Sequence, residues 1–130
     1  MIVADYLASL ERGLRGQRTV SRLDRIECLA ADDYHALVRL RAIFWDDSYL
    51  DVYEVVSTEL GYPVRVHYAY TYVRQGSRVF RCDNVPDHPE IVTHPHHKHL
   101  GNKDRLAPTD QPTLGQVLAE IEACIDRRAE

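Results

Sequence analysis

Five histidines fall between positions 88 and 99: His88, His94, His96, His97 and His99, with Lys98 between the last two. The whole chain carries 7 histidines in 130 residues, so the run is a strong local concentration. Imidazole, with a pKa of about 6.5, can ligate a metal, pass a proton at neutral pH, or meet a phosphate when charged. His94-x-His96 and His97-x-His99 each set two imidazoles on one side of an extended segment, and Asp83, Asp87 or Glu54 could complete a ligand set. A structural zinc is not expected. The spacing matches no such pattern, and strand alternation sends Cys82 to the face opposite Arg81 and Asp83. A divalent ion with an open position is one reading. RNA cleavage without a cofactor is a second. There a histidine or carboxylate takes the 2′-hydroxyl proton, and Lys98, Arg81 or Lys103 stabilises the charge on phosphorus. Plain phosphate binding is a third. Against all three stands a solvated loop whose histidines only cap or pack.

Other residues could join this chemistry. "FRCDNVPDHPEI" leaves a strand into a proline turn, so Asp83, Asn84, Asp87 and His88 sit at a strand end, where sites are usually mounted. Asp83 and Asn84 could equally cap that turn. In "VHYAYTY", Tyr68, Tyr70 and Tyr72 share one strand face and could stack bases, with Arg81 close in sequence to hold phosphate. The alternative is that tyrosine simply suits half-buried strands. Glu54 interrupts the apolar stripe Leu50, Val52, Val56. A buried carboxylate is costly unless paired, so it belongs either to a site or to an ion pair with Arg39, Arg41 or Arg65.

These residues need a scaffold. With 45% apolar residues the chain can build a core, and 1–130 reads as a single domain. Net charge is -4 and pI about 5.9, unlike a high-pI nucleic-acid binder. Arg12, Arg15, Arg18, Arg22 and Arg25 nevertheless crowd the N-terminal quarter and could form a local basic surface. Three cysteines, far apart and without C-x-x-C spacing, fit the reducing cytoplasm. No signal peptide and no membrane-length apolar span is visible.

Helical spacing of Val3, Leu7, Leu10 and Leu14 predicts a helix over 3–16. Alternation and turn signals predict strands over 19–30, 34–45, 49–58, 64–73 and 78–84, with a glycine-tipped hairpin at "RQGSR". Prolines across 85–112 predict a long His-rich loop with no regular structure beyond a turn or two. Thr113 as N-cap and the stripe Leu114, Val117, Leu118, Ile121, Ile125 predict a final helix. The expected fold is α+β: N-terminal helix, five-stranded antiparallel meander, His-rich loop, C-terminal helix, with both helices on one sheet face. The loop should lie against the end of the meander, and Glu54, Asp83 and at least two of His96, His97 and His99 should converge in one cleft.

Residues from about 50 to 101 resemble the TumE-type toxin family of prokaryotic toxin–antitoxin systems. The resemblance rests on "YAYTYV", a tight turn, then "FRCDNVPDHPEIVTHPHHKHLG". The family pattern reads Y-x-Y, then F-R-Y-D-N-x-P-H-H-P, then T-x-P-H-H-K-H. Asp83, Asn84, His88, His96, His97, Lys98 and His99 stand at matching positions, whereas Cys82 and Asp87 replace Tyr and His. The resemblance implies a growth-inhibiting protein neutralised by a DNA-binding helix-turn-helix antitoxin encoded beside it. It implies no mechanism. An RNA-cutting enzyme is the reading from residue chemistry and from analogy with other small α+β toxins. The alternative is a non-catalytic module whose histidine loop grips a metal or a partner. A metal-dependent nuclease of the His-Asn-His kind is disfavoured, since no helix closely follows "HHKH".

Overall fold

The computed structural model describes residues 1–103 and 105–129. The chain begins with helix α1 (Val3–Arg15), and seven strands follow in sequence order. They are β1 (Val20–Ala30), β2 (His35–Phe44), β3 (Tyr49–Ser57), β4 (Val64–Arg74), β5 (Ser77–Asp83), β6 (His97–Leu100) and β7 (Arg105–Pro108). Helix α2 (Leu114–Ala129) closes the chain. All seven strands form one antiparallel sheet in the order β1-β2-β3-β4-β5-β6-β7. The first five match the expected meander. The expectation of five strands and an irregular loop is corrected: "HKHL" and "RLAP" add a sixth and a seventh strand. The free edge of β5 offers a row of backbone donors and acceptors, and pairing with it satisfies the backbone of a proline-rich segment that has no period of its own.

Alternation decides the two faces of the sheet. In β2, Val38, Leu40, Ala42 and Phe44 are buried, and in β3, Leu50, Val52 and Val56. The β5 side chains Phe80 and Cys82 join them, and so do Leu14 of α1 and Val117, Leu118, Ile121 and Ile125 of α2. Both helices thus cover the same face, as expected. The β4–β5 hairpin turns on Gln75 and Gly76, both at positive φ (50° and 75°), as a two-residue mirror-image turn requires. β1 is an edge strand whose pairing with β2 slips between Asp24 and Glu27, with Arg25 at φ 52° in the slip. That bulge explains why its alternation was loose. Two of the N-terminal arginines are held in ion pairs, while Arg25 lines a depression on the sheet with Arg39 and Arg41. Arg15 pairs with Glu11, and Arg18 reaches Glu122 and Asp126 of α2.

The start of α2 is a reciprocal cap. Thr113 Oγ1 accepts from the Gln116 backbone N–H (3.0 Å), and Gln116 Oε1 accepts from the Thr113 N–H (2.9 Å). Two otherwise orphaned donors are satisfied, which orients the helix as the chain leaves β7. Replacing Thr113 with Ala should cost about 1 kcal/mol. Urea unfolding reads this as a lower midpoint with unchanged slope, and an unmoved midpoint would remove the cap from the account.

Candidate functional site

The β5–β6 pairing builds the site. Asp83 stands opposite His97 and Arg81 opposite His99, so all four side chains project from the same face. That face is the one the helices do not cover. Asp83 is 2% exposed and His97 1%. The Asp83 carboxylate accepts from Arg81 Nε at Oδ2 (2.9 Å) and from the Val85 backbone N–H at Oδ1 (3.0 Å). His97 Nε2 lies 2.9 Å from Asp83 Oδ1, and His99 Nε2 lies 3.5 Å from Oδ2. His88, brought back by the turns after β5, closes the group. Its ring meets His97 at 4.8 Å and His99 at 5.7 Å, edge to face, while His97 and His99 are 4.9 Å apart. One nitrogen from each of His88, His97 and His99 lies within 4.8 Å of the others, an arrangement that could hold a metal ion.

Two of the three rings are oriented by their second nitrogen. His97 Nδ1 sits 3.0 Å from the Pro95 carbonyl oxygen, which makes Nδ1 the N–H donor. His88 Nδ1 sits 3.1 Å from Glu90 Oε1 in the same way. Their Nε2 atoms therefore face inward, 3.9 and 3.6 Å from Asp87 Oδ1. Burial lowers the His99 pKa below the ordinary imidazole value, with the neighbouring His97, Arg78 and His88 adding to the drop and Asp83 opposing it.

A groove runs from the cluster across the helix-free face. Two adjoining depressions of about 350 and 410 Å³ share Arg39, Asp51 and Tyr53. The second reaches Thr71 and Arg81, and Arg81 is the residue bonded to Asp83. Arg39 lies over the Tyr53 ring at 5.2 Å, and Arg41 over Tyr49 at 3.8 Å while also paired with Asp51 at 2.8 Å. Asp87 was named from the sequence alone as a possible ligand, whereas Arg39, Asp51 and Tyr53 were not singled out there as site residues. Their signal was parity: Arg39 and Arg41 alternate with the buried β2 stripe, Tyr49, Asp51 and Tyr53 with the buried β3 stripe, and register joins those rows to Arg81 and His99.

Several expected site residues lie elsewhere. The convergence of Glu54 with Asp83 is overturned. Glu54 pairs with Tyr68, one residue out of step with the Ala69–Asp83 pair, so it points into the helix-covered face. There it is 0% exposed and accepts from the hydroxyls of Tyr6 in α1 and Tyr70 (2.5 Å for Tyr70). Arg65 donates to the Tyr70 oxygen (2.8 Å) and to the Pro112 carbonyl (2.5 Å). Burial, then the Glu54 charge, raises the pKa of Tyr6 and Tyr70 far above that of a free phenol. Glu54 is thus held by donors and ties α1, β3, β4 and the lead into α2 together.

The tyrosine platform is likewise corrected. Tyr68, Tyr70 and Tyr72 are at most 1% exposed, because the face they share is the core face, so they offer no surface to a base. His96 goes with them: its ring stacks on Tyr68 at 5.8 Å, and its Nδ1 shares a hydrogen bond with the Tyr68 hydroxyl (2.8 Å). Asn84 is structural. Its Oδ1 accepts from the Tyr68 N–H and its Nδ2 donates to the Val66 carbonyl, both at 3.0 Å, extending the β4–β5 ladder with a side chain. His94 is exposed. Cys82 faces the core as expected, and burial pushes its thiol up to about 11.

Lys98 also falls on the covered side, opposite Cys82. Its ammonium donates to Glu120 of α2 (2.5 Å) and lies 4.9 Å from the Phe80 ring centre. The sequence-based expectation gave Lys98 more weight in activity than in folding. The register gives it a structural partner, Glu120, on the covered face. Lys98→Ala should lower stability by up to about 1 kcal/mol, the range for a partly exposed pair, and leave growth inhibition unchanged. Growth curves beside urea melts check both halves. Glu54→Ala should lose considerably more, about 3–5 kcal/mol, since it strands the buried donors that converge on the carboxylate. Tyr70→Phe, which removes one donor, should cost about 1–3 kcal/mol on the same melts.

No helix among the described residues is long and apolar enough to cross a membrane. None of the curated proteins matches the chain, and no solved structure matches it. One family model does, described as "Toxin TumE", over residues 10–129. That span takes in the whole sheet, the histidine cluster and α2. This chain belongs to the TumE toxin family.

Proposed function

We propose that this toxin inhibits growth by cutting RNA on the helix-free face of its sheet, acting in the cytoplasm as a single domain. The observation that carries the reading is continuity: the Asp83–His97–His99–His88 cluster adjoins a groove lined by Arg39, Tyr53, Thr71 and Arg81. Guanidinium groups suit phosphate oxygens, and an aromatic ring suits an unpaired base. The cluster lies at the end of that groove, where a phosphodiester held by Arg81 would present its neighbouring ribose. In the ion-free protein the 2′-hydroxyl gives its proton to an imidazole of the cluster and its oxygen attacks phosphorus. Arg81 meets the charge that builds on the phosphoryl oxygens. The 5′-oxygen leaves with a proton from a second, protonated imidazole of the cluster, giving a 2′,3′-cyclic phosphate and a free 5′-hydroxyl. A cognate helix-turn-helix antitoxin would neutralise the protein, as the family membership suggests.

His97→Ala and His99→Ala should each slow cleavage by about two to four powers of ten, the scale for removing a proton-transfer group. His99, only half-buried, should do so with the fold intact. Arg81→Ala and Arg39→Ala should weaken RNA binding and each lower the salt dependence by about one unit of slope. Purified protein incubated with labelled RNA, with end analysis of the products, checks this. Full toxicity without any RNA cleavage, or cleavage unaffected by His99→Ala, would turn the reading toward a non-catalytic module that binds a partner or a metal.

A further inference from the structure

We propose that His88, His97 and His99, with the Asp83 carboxylate beside them, form a binding site for one divalent transition-metal ion. The buried His97 makes the case. Its Nδ1 is the donor, to the Pro95 carbonyl, so a neutral ring presents a lone pair at Nε2. That Nε2 is buried and has no hydrogen-bond partner, although an Asp83 oxygen lies 2.9 Å away. Distance allows a bond and direction does not. An imidazole lone pair and a carboxylate oxygen at this separation repel unless positive charge stands between them or beside them.

A proton on His97 would supply charge to one pair only, and it would point out of line with Asp83. It would also put a cationic ring edge against His88 and His99, each within 6 Å. A metal ion answers the whole arrangement. The Nε2 atoms of His97 and His99 both face Asp83, and those of His88 and His97 both face Asp87. Metal–nitrogen bonds of about 2.0–2.1 Å place tetrahedral ligand atoms roughly 3.3 Å apart. The three nitrogens lie within 4.8 Å, so small rotations of half-buried His88 and His99 close the shell around a nearly immobile His97. The outer contacts are those of metal-bound histidine: Pro95 behind His97 and Glu90 behind His88.

Three imidazoles select a borderline ion such as Zn²⁺, Co²⁺ or Ni²⁺ over Mg²⁺ or Ca²⁺, which prefer oxygen. The ligands come from one strand and one turn on the helix-free face of the sheet. Removal of the ion should leave the hydrophobic core, on the far side of the sheet, in place.

The test uses the purified full chain, stripped with chelator and titrated without RNA. Zn²⁺ by calorimetry and Co²⁺ by visible absorption should each show one equivalent bound, and Mg²⁺ at matched concentrations should not compete. His88→Ala and His99→Ala should each weaken Zn²⁺ binding by more than about 100-fold, and Glu90→Ala by about 10-fold, as the loss of an outer-shell partner does. His94→Ala, an exposed histidine of the same run, is the control and should change nothing. Absence of stoichiometric binding overturns the proposal. So does binding that survives both His88→Ala and His99→Ala, or binding lost in His94→Ala, which would assign the ion to exposed imidazoles. Because no RNA is present, a failure here is distinct from a failure of the cleavage reading. An ion bound by a protein that cuts no RNA would leave the metal site standing.

Discussion

The pairing of β5 with β6 decides what this protein can do. It sets Asp83 across from His97 and Arg81 across from His99, and it does so through four residues of strand. A slip of one residue would send His97 and His99 into the core and bring Lys98 out beside Asp83. Two anchors hold the register. Lys98 reaches Glu120 of α2 on the covered face, and the Thr93 hydroxyl donates to the His96 carbonyl while accepting from the Thr109 N–H. The first ties β6 to a helix and the second ties the turn before β6 to the end of β7. The histidine cluster is therefore a product of structural contacts made by residues that take no part in it.

The sheet carries two polar centres, one on each face, and they are built on opposite logic. On the covered face Glu54 is surrounded by donors: the hydroxyls of Tyr6 and Tyr70, with Arg65 behind Tyr70. A charge buried there is compensated by groups that have no other task, so the centre joins elements rigidly. On the open face Asp83 is also buried, yet the nitrogens around it include one with no hydrogen-bond partner. Each unsatisfied buried group calls for an explanation in its own surroundings, and Thr19 Oγ1, Thr58 Oγ1 and Arg74 Nε share that condition with His97 Nε2. The contrast distinguishes two carboxylates that burial alone does not, since Glu54 and Asp83 are both almost wholly enclosed.

Placing both helices on one face leaves the other free to be used. Its arginines do not stand alone. Arg41 lies between Asp51 and the Tyr49 ring, and Arg39 lies over Tyr53. Stacked guanidinium groups lose less rotamer freedom on binding a phosphate than unsupported ones, because part of that freedom is already gone. A chain of net charge -4 can in this way present a local cationic track without being basic overall.

Much of the fold was readable from residue pattern. The period of 3.6 in α1 and α2 and the period of 2 in the first five strands follow from local geometry, and their boundaries fell within about a residue or two of the observed ones. Thr113 announced its helix by type, and the density of histidine near Asp83 and His88 announced a cluster of these side chains. The family was readable as well, because its motif is contiguous. Three things were not. β6 and β7 have no periodicity worth the name and exist because β5 had an open edge to pair with. The burial of Tyr68, Tyr70 and Tyr72 depended on which face the helices chose, and alternation says that residues share a face without saying which face is wet. The division of "HHKH" between two faces was written in its alternation, but the assignment of Glu54 and Lys98 to one side and Asp83 and Arg81 to the other required register between strands. Register is a relation between distant segments, set by packing and turn geometry, and only the assembled sheet contains it.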